Sequence, residues 1–230
     1  MEGFGFSVEV RKTDRKKSAS IHLDGNLVRV TVPKSLSDNR IRDLIQKRTL
    51  WIKTKLNQQS QRLVPKPKEY VSGETILYLG RNYRLKVLRE NKVSIKMKNG
   101  YLVATVLQND TDPQKTIKSL LEDWYQKHAE MRLKEKTKRF SKLIGVVPKS
   151  IAVKNYKSRW GSCSSKAELT YNWRIILAPH HIVDYVVVHE LCHLLEYNHS
   201  SKYWKHVERH IPNYKEKREW LRKCNASLNV

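Results

Sequence analysis

The sequence predicts an α+β chain in which a basic, β-rich N-terminal part, residues 1–108 with one helix, precedes a more helical core, residues 109–230. Three observations carry that reading. Before residue 108, apolar and polar residues alternate in short runs separated by turn residues, the period of half-buried strands. After Asp112-Pro113 a long stretch repeats its apolar residues at helical spacing, with proline at the favoured first position. A second helical stretch, Tyr185 to Leu195, is apolar around most of its circumference, yet it carries two histidines and a glutamate.

In order, Phe6 to Val10, Ser18 to Leu23 and Leu27 to Val32 read as strands, the last two joined by an Asp24-Gly25-Asn26 hairpin turn. Pro33 ends the third, and Ser37 is the candidate N-cap of a helix of about 20 residues. Ile41, Leu44, Ile45, Arg48, Trp51, Ile52 and Leu56 form its inward stripe, which closes onto the hairpin. Gln58 to Lys68, with Pro65 and Pro67, reads as a polar linker.

A second strand set runs Thr75 to Leu79, Tyr83 to Leu88, Val93 to Met97 and Tyr101 to Val106, with turns at Gly80-Arg81-Asn82 and Asn99-Gly100. Lysines and arginines occupy alternate positions here. That is the solvated face of any one-sided sheet, or a basic face that tracks phosphates. The long helix follows, with Ile117, Leu120, Leu121, Trp124, Tyr125, His128, Met131, Leu133, Phe140 and Leu143 on its apolar side, and breaks at Gly145 to Pro148. Ile151 to Tyr156 is a strand, Lys157 to Lys166 a loop containing RWGSC, and Leu169 to Leu177 another strand. Pro179 leads into the histidine-bearing helix, and Ser201 to Leu221 forms two helices split at Ile211-Pro212-Asn213.

The chemistry concentrates between Val186 and Pro212. His189 and His193 are four residues apart, and four residues of α-helix turn about 400° and rise about 6 Å. Both imidazoles therefore leave one face and can converge on a zinc ion. Glu190 sits about 100° round the helix from His189, placed to take a proton from a metal-activated water. Polar groups inside so apolar a helix are costly unless paired or metal-bound. Asn198 ends the helical pattern, so His199 can swing back as a third ligand and leave a fourth position for water. Its spacing equals that of the metzincins, but their glycine is replaced by Glu196, and Met1, Met97 and Met131 all lie upstream, so no Met-turn can follow. Glu208 and Glu216, on a following helix, are the alternative third ligands; His199 is preferred. His206 and His210 lie on a strongly basic helix and read as solvated. Tyr203, Arg159 and His206 are the candidate oxyanion donors, and Tyr203 with Trp204 and Val207 can also pack behind His199 and fix its angle.

Forty-six lysines and arginines against 22 acids give a net charge of +24 and a pI near 10. Such self-repulsion suits a polyanionic partner, with DNA or RNA foremost. The three cysteines, Cys163, Cys192 and Cys224, show no paired spacing, which points to a reducing compartment. With no secretory signal visible and no run of 18 apolar residues, the expectation is a cytoplasmic protein without a membrane partner.

RWGSCSS (Arg159 to Ser165), NWRIILAP (Asn172 to Pro179), DYVVVHELCHL (Asp184 to Leu194), NHS..YW (Asn198 to Trp204) and P.Y...R.WL (Pro212 to Leu221) resemble the YgjP-like metallopeptidase family, which is related to the SprT-like and WLM zinc peptidases. The resemblance covers essentially the whole chain and is strongest from Lys154 to Leu221. It implies a small gluzincin-like core with the H-E-x-x-H helix against a short sheet, zinc on His189, His193 and His199, and Glu190 as general base. It also implies a peptide or protein substrate. Some SprT-like and WLM enzymes act on proteins crosslinked to DNA, so a peptidase recruited to nucleic acid by its basic surface is consistent with the likeness. By position and by resemblance, Leu169 to Leu177 is the candidate edge strand for an extended substrate. Arg159, Trp160 and Ser162 nearby would orient that substrate or brace the helix, with Tyr203 a further candidate contact; simple packing is the plainer reading of Trp160 and Cys163. The competing reading is a non-catalytic or gated basic zinc protein that binds nucleic acid. The intact Glu190 counts against it.

Overall fold

Period-two runs become strands in separate sheets, and the apolar side of each sheet is covered by helix. The computed structural model describes residues 3–24, 27–60, 68–224 and 228, and its chain divides into two units, Met1–Pro65 and Lys66–Val230.

In the first unit β1 (Ser7–Thr13), β2 (Ser20–Asp24) and β3 (Leu27–Pro33) pair in the order β1-β3-β2, with β1 parallel and β2 antiparallel to β3. Val8, Val28, Val30 and Val32 point to one side and meet Ile41, Ile45 and Ile52 of α1 (Asp38–Ser60). Full burial of each such side chain contributes about 1.5–3 kcal/mol. Trp51, expected on that stripe, is exposed instead. Ile52, one step of about 100° further round, takes the inward position. The turn residues Gly25 and Asn26 and the linker residues 61–67 lie outside the described residues, while α1 runs past the expected linker start at Gln58.

In the second unit β4 (Thr75–Tyr78), β5 (Arg81–Glu90), β6 (Ser94–Lys98) and β7 (Tyr101–Leu107) form a sheet in the order β4-β5-β7-β6. Two-residue turns join β4 to β5 and β6 to β7. Leu79 and Gly80 have φ of 49° and 76°, Asn99 and Gly100 of 49° and 79°, the double positive φ of a type I′ hairpin. The first turn is thus one residue earlier than expected, and Arg81 enters the strand. Gly80 is required for a second reason: a Cβ there would lie 2.7 Å from Pro179 Cα. The backbone N–H groups of Leu79 and Gly80 donate to Ile176 and Leu177 carbonyls at 2.8 and 3.2 Å. The turn is therefore fixed against the chain that enters the histidine-bearing helix.

Asp112 caps α2 (Pro113–Ile144), accepting from Lys115 N at 3.1 Å, and Gly145 ends it at φ 81°. Ile117, Leu121, Tyr125 and Leu133 of α2 share one core with Leu85, Leu102, Ala104 and Val106 of β5 and β7. The boundary expected between residues 108 and 109 consequently falls inside this unit.

A third sheet has β8 (Ser150–Lys154), β9 (Gly161–Cys163) and β10 (Glu168–Asn172) in the order β8-β10-β9. Leu169 to Leu177 is therefore not one edge strand. Its first half is the central strand, parallel to β8 and antiparallel to β9, and Trp173–Leu177 is a 3-10 helix. Asn172 makes the break: its side chain accepts from Arg174 N at 3.1 Å and donates to the Tyr156 and Arg159 carbonyls at 2.8 and 3.1 Å. The apolar run that follows is buried, and a short buried run carries no periodicity that separates strand from helix. The loop expected at Lys157 to Lys166 contains β9, which takes the edge.

Helices α3 (His180–Cys192), α4 (Ser201–His210) and α5 (Tyr214–Cys224) complete the unit. Asp184 of α3 holds Lys136 Nζ at 2.6 Å and Arg139 at 3.3 Å, tying α3 to α2 through a mostly buried ion pair. Among the described residues no helix is long and apolar enough to cross a membrane.

Candidate metal centre and active-site cleft

Burial of Tyr185, Val186, Val187, Val188, Leu191 and Cys192 fixes the rotation of α3, and that rotation sends His189 and Glu190 toward β9 and α4. His193 is the C-cap residue, but its φ and ψ of −67° and −17° remain helical, so it stays below His189 on the same face. The chain then turns through Asn198 and returns His199 to the two imidazoles. Ser200 starts α4 immediately afterwards, its hydroxyl accepting from Tyr203 N at 3.3 Å.

One nitrogen from each of His189, His193 and His199 lies within 4.8 Å of the others. His189 Nε2 and His199 Nε2 are 3.3 Å apart. A tetrahedral zinc centre with bonds of about 2.0–2.1 Å would place its ligand atoms about 3.4 Å apart, so the separation of this pair fits such a centre. His193 Nδ1 donates to the Glu196 carbonyl at 3.2 Å, which leaves its Nε2 lone pair for a ligand. Burial pushes the His189 pKa down to about 3, with the other two imidazoles and Arg218 adding to the effect. Burial lowers His193 and His199 as well, the latter helped by Arg218. All three shifts favour the neutral imidazole, the form that binds metal. His189 Nδ1, the ring nitrogen turned away from the cluster, is buried without a hydrogen-bond partner, so what orients this ring is its packing against Tyr185 and Tyr203.

Aromatic rings hold this cluster from behind. Tyr203 stacks on His193 at 4.6 Å between centroids and donates its hydroxyl to the His189 carbonyl at 2.9 Å. Trp204 stacks on His199 at 5.5 Å and on Tyr214 at 4.9 Å, and Arg218 lies over Trp204 at 5.1 Å.

Glu190 is 5% exposed, and burial pushes its carboxyl up to about 8, against the opposing charge of Arg159. It sits directly on β9. A Cβ at Gly161 would come within 2.5 Å of Glu190 Oε1 and 2.8 Å of Cδ, so only glycine admits the carboxylate there. The same strand offers a free edge. Asn172 N donates to Trp160 O at 2.8 Å and Ser164 N to Glu168 O at 2.9 Å, so even-numbered residues direct their backbone groups to β10. By alternation Gly161 and Cys163 direct theirs outward, beside Glu190.

A cleft of about 690 Å³ opens over the cluster, lined by Arg159, Trp160, Gly161, His189, Glu190 and His199, with Trp204 and Arg218 on the α4–α5 side. Of the residues singled out from sequence, His189, Glu190, His193, His199, Arg159 and Trp160 are brought together. Ser162 lies on β9 but does not line the cleft, and Tyr203 is wholly buried behind the histidines with its hydroxyl committed. His206, Glu208 and Glu216 are not part of the cluster either. Gly161 and Arg218 escaped the sequence reading; their signal was their place inside the RWGSC and P.Y...R.WL motifs.

The family model for the YgjP-like metallopeptidase domain matches residues 17–224. No curated protein sequence matches the chain. Among solved structures, the crystal structure of the metallopeptidase zymogen of Pyrococcus abyssi abylysin is similar over 40% of this chain and 95% of its own, with 20% identity and a TM-score of 0.37. By the extent of the family match, the chain belongs to the YgjP-like metallopeptidase family.

Proposed function

We propose that the chain holds one zinc ion on His189, His193 and His199 and hydrolyses internal peptide bonds with Glu190 as general base. The observation that carries this reading is the convergence of three imidazoles beside a buried carboxyl on the floor of an open cleft. A bound zinc ion supplies Lewis acidity, a water acidified toward pKa 7, and a double positive charge that returns the neighbouring carboxyl to its ionised form.

Glu190 then accepts the proton of the attacking water and passes it to the leaving amine, work that contributes typically 10²–10⁴-fold. The extended substrate pairs with the outward backbone groups of Gly161 and Cys163. Pairing along a strand edge reads main chain and needs no terminus, which favours cleavage within a chain over trimming from its end. Arg159 is the donor for the developing oxyanion, since it lines the cleft within electrostatic reach of Glu190. Tyr203 supports His189 and His193 instead of contacting substrate. A purely structural metal has no use for a carboxyl held on a glycine beside it, so the enzyme reading prevails over the non-catalytic one.

The test is cleavage of unfolded casein by the full chain. Activity is expected to vanish with a strong chelator and to return with zinc. Cleavage that survives complete metal removal overturns the proposal.

A further inference from the structure

The outer face of the sheet β5–β7–β6 has the chemistry of a binding site remote from the histidine cluster. Leu85, Leu102, Ala104 and Val106 turn one side of this sheet into the core. On the other side the register sets Arg84, Tyr101 and Lys98 in one row across the three strands and Lys86, Val103 and Lys96 in the next. Each row therefore has a cation on both outer strands, about 9.6 Å apart, and a shorter or flatter group on the strand between them. The result is a groove of about 370 Å³ with Val103 and Thr105 on its floor, lysines along its walls and Lys92 at one end.

Successive rows are about 6.7 Å apart along the strands, so the positive charge repeats lengthwise on both walls. Among the described residues none of Arg84, Lys86, Lys96 and Lys98 takes part in an ion pair, although exposed acids elsewhere do pair with basic neighbours. Glu90 is the acid of this groove. Unpaired like charges gathered on a concave face repel one another until a polyanion enters. Tyr101 adds the second element. Its ring is 46% exposed in the first row, between Arg84 and Lys98, where a planar base can stack on it.

We infer that this groove binds single-stranded nucleic acid, the phosphates running between the two walls and a base stacking on Tyr101. The separation of the walls suits one strand and excludes a duplex. A bilayer is a poor fit, because the charges line a concavity whose apolar residues, Leu88 and Val103, sit within the groove instead of standing out from it as an anchor. The inference stands apart from peptide hydrolysis, since none of these residues belongs to the cleft on α3.

Fluorescence anisotropy with a labelled single-stranded oligonucleotide tests it on the full chain. Neutralising about four phosphates predicts that log K falls with log salt at a slope near −3, from about −0.7 per phosphate. Lys86→Glu, Lys96→Glu and Lys98→Glu together should weaken binding at least tenfold and flatten the slope; the same three changed to Gln give a milder, same-signed loss. Lys127→Glu, Lys138→Glu and Lys142→Glu on the exposed side of α2 make an equal change in net charge and should leave affinity within about twofold. Tyr101→Ala should weaken the oligonucleotide about tenfold, the lower end of what stacking is worth, and leave heparin binding unchanged. Equal losses from both lysine sets, no binding at low salt, an oligonucleotide affinity that Tyr101→Ala leaves unchanged, or heparin and anionic vesicles bound as well as the oligonucleotide would each overturn the inference.

Discussion

Glu190→Gln is expected to lower kcat for peptide hydrolysis by about 10²–10⁴-fold, the usual worth of a positioned general base, while zinc content and KM stay near wild type. Glutamine has the size of glutamate and fits the same space on Gly161, so the packing of α3 is preserved. What it lacks is an oxygen that can take a proton. Because the loss is confined to the transition state, kcat and kcat/KM should fall together. A variant that keeps most of its activity with zinc bound would remove Glu190 from the mechanism and return the search to Arg159 and the water itself.

Gly161→Ala is expected to reduce kcat by about 10²-fold, as a displacement of roughly 1 Å at a reacting group can. The added Cβ would meet Glu190 Oε1, Cγ and Cδ at 2.5, 2.7 and 2.8 Å, so the whole end of the side chain must swing away from β9. The three histidines are untouched, and metal content should not change. Combining Gly161→Ala with Glu190→Gln supplies the discriminating comparison. If the glycine acts through the carboxylate, the double variant is scarcely slower than Glu190→Gln alone, and the two effects fail to add. Additive losses would instead mean that the methyl group obstructs substrate at the strand edge.

Much of this was legible in the sequence because it is encoded locally. Asp112-Pro113 and Gly145 delimit a helix by capping chemistry, Asn99-Gly100 dictates a type I′ turn, and the spacing of His189 and His193 follows from the helical repeat. The return of His199 needed only a helix that ends and another that begins with Ser200 as its cap. The errors arose where local pattern was silent. Gly161–Cys163 is three residues long, too short for alternation to show, so the actual edge strand looked like loop. Leu169 to Leu177 looked like an uninterrupted strand because the side-chain hydrogen bonds of Asn172 that stop it reach residues 13 and 16 positions away in sequence. Tyr203 could be placed beside the histidines by spacing, but only its packing shows the hydroxyl already spent on the His189 carbonyl. The fit of Glu190 onto Gly161 joins elements 29 residues apart, and no periodicity announces such a contact.

The most direct measurement is the zinc content of wild-type and His199→Ala protein after reconstitution, with casein cleavage followed in the same samples. The expected result is about one zinc per wild-type chain, as three imidazoles with an open fourth position require, with zinc and chelator-sensitive cleavage lost together in the variant. A wild-type protein that takes up no zinc, or one that cleaves with none bound, would contradict the assignment of His189, His193 and His199 as the centre of the enzyme.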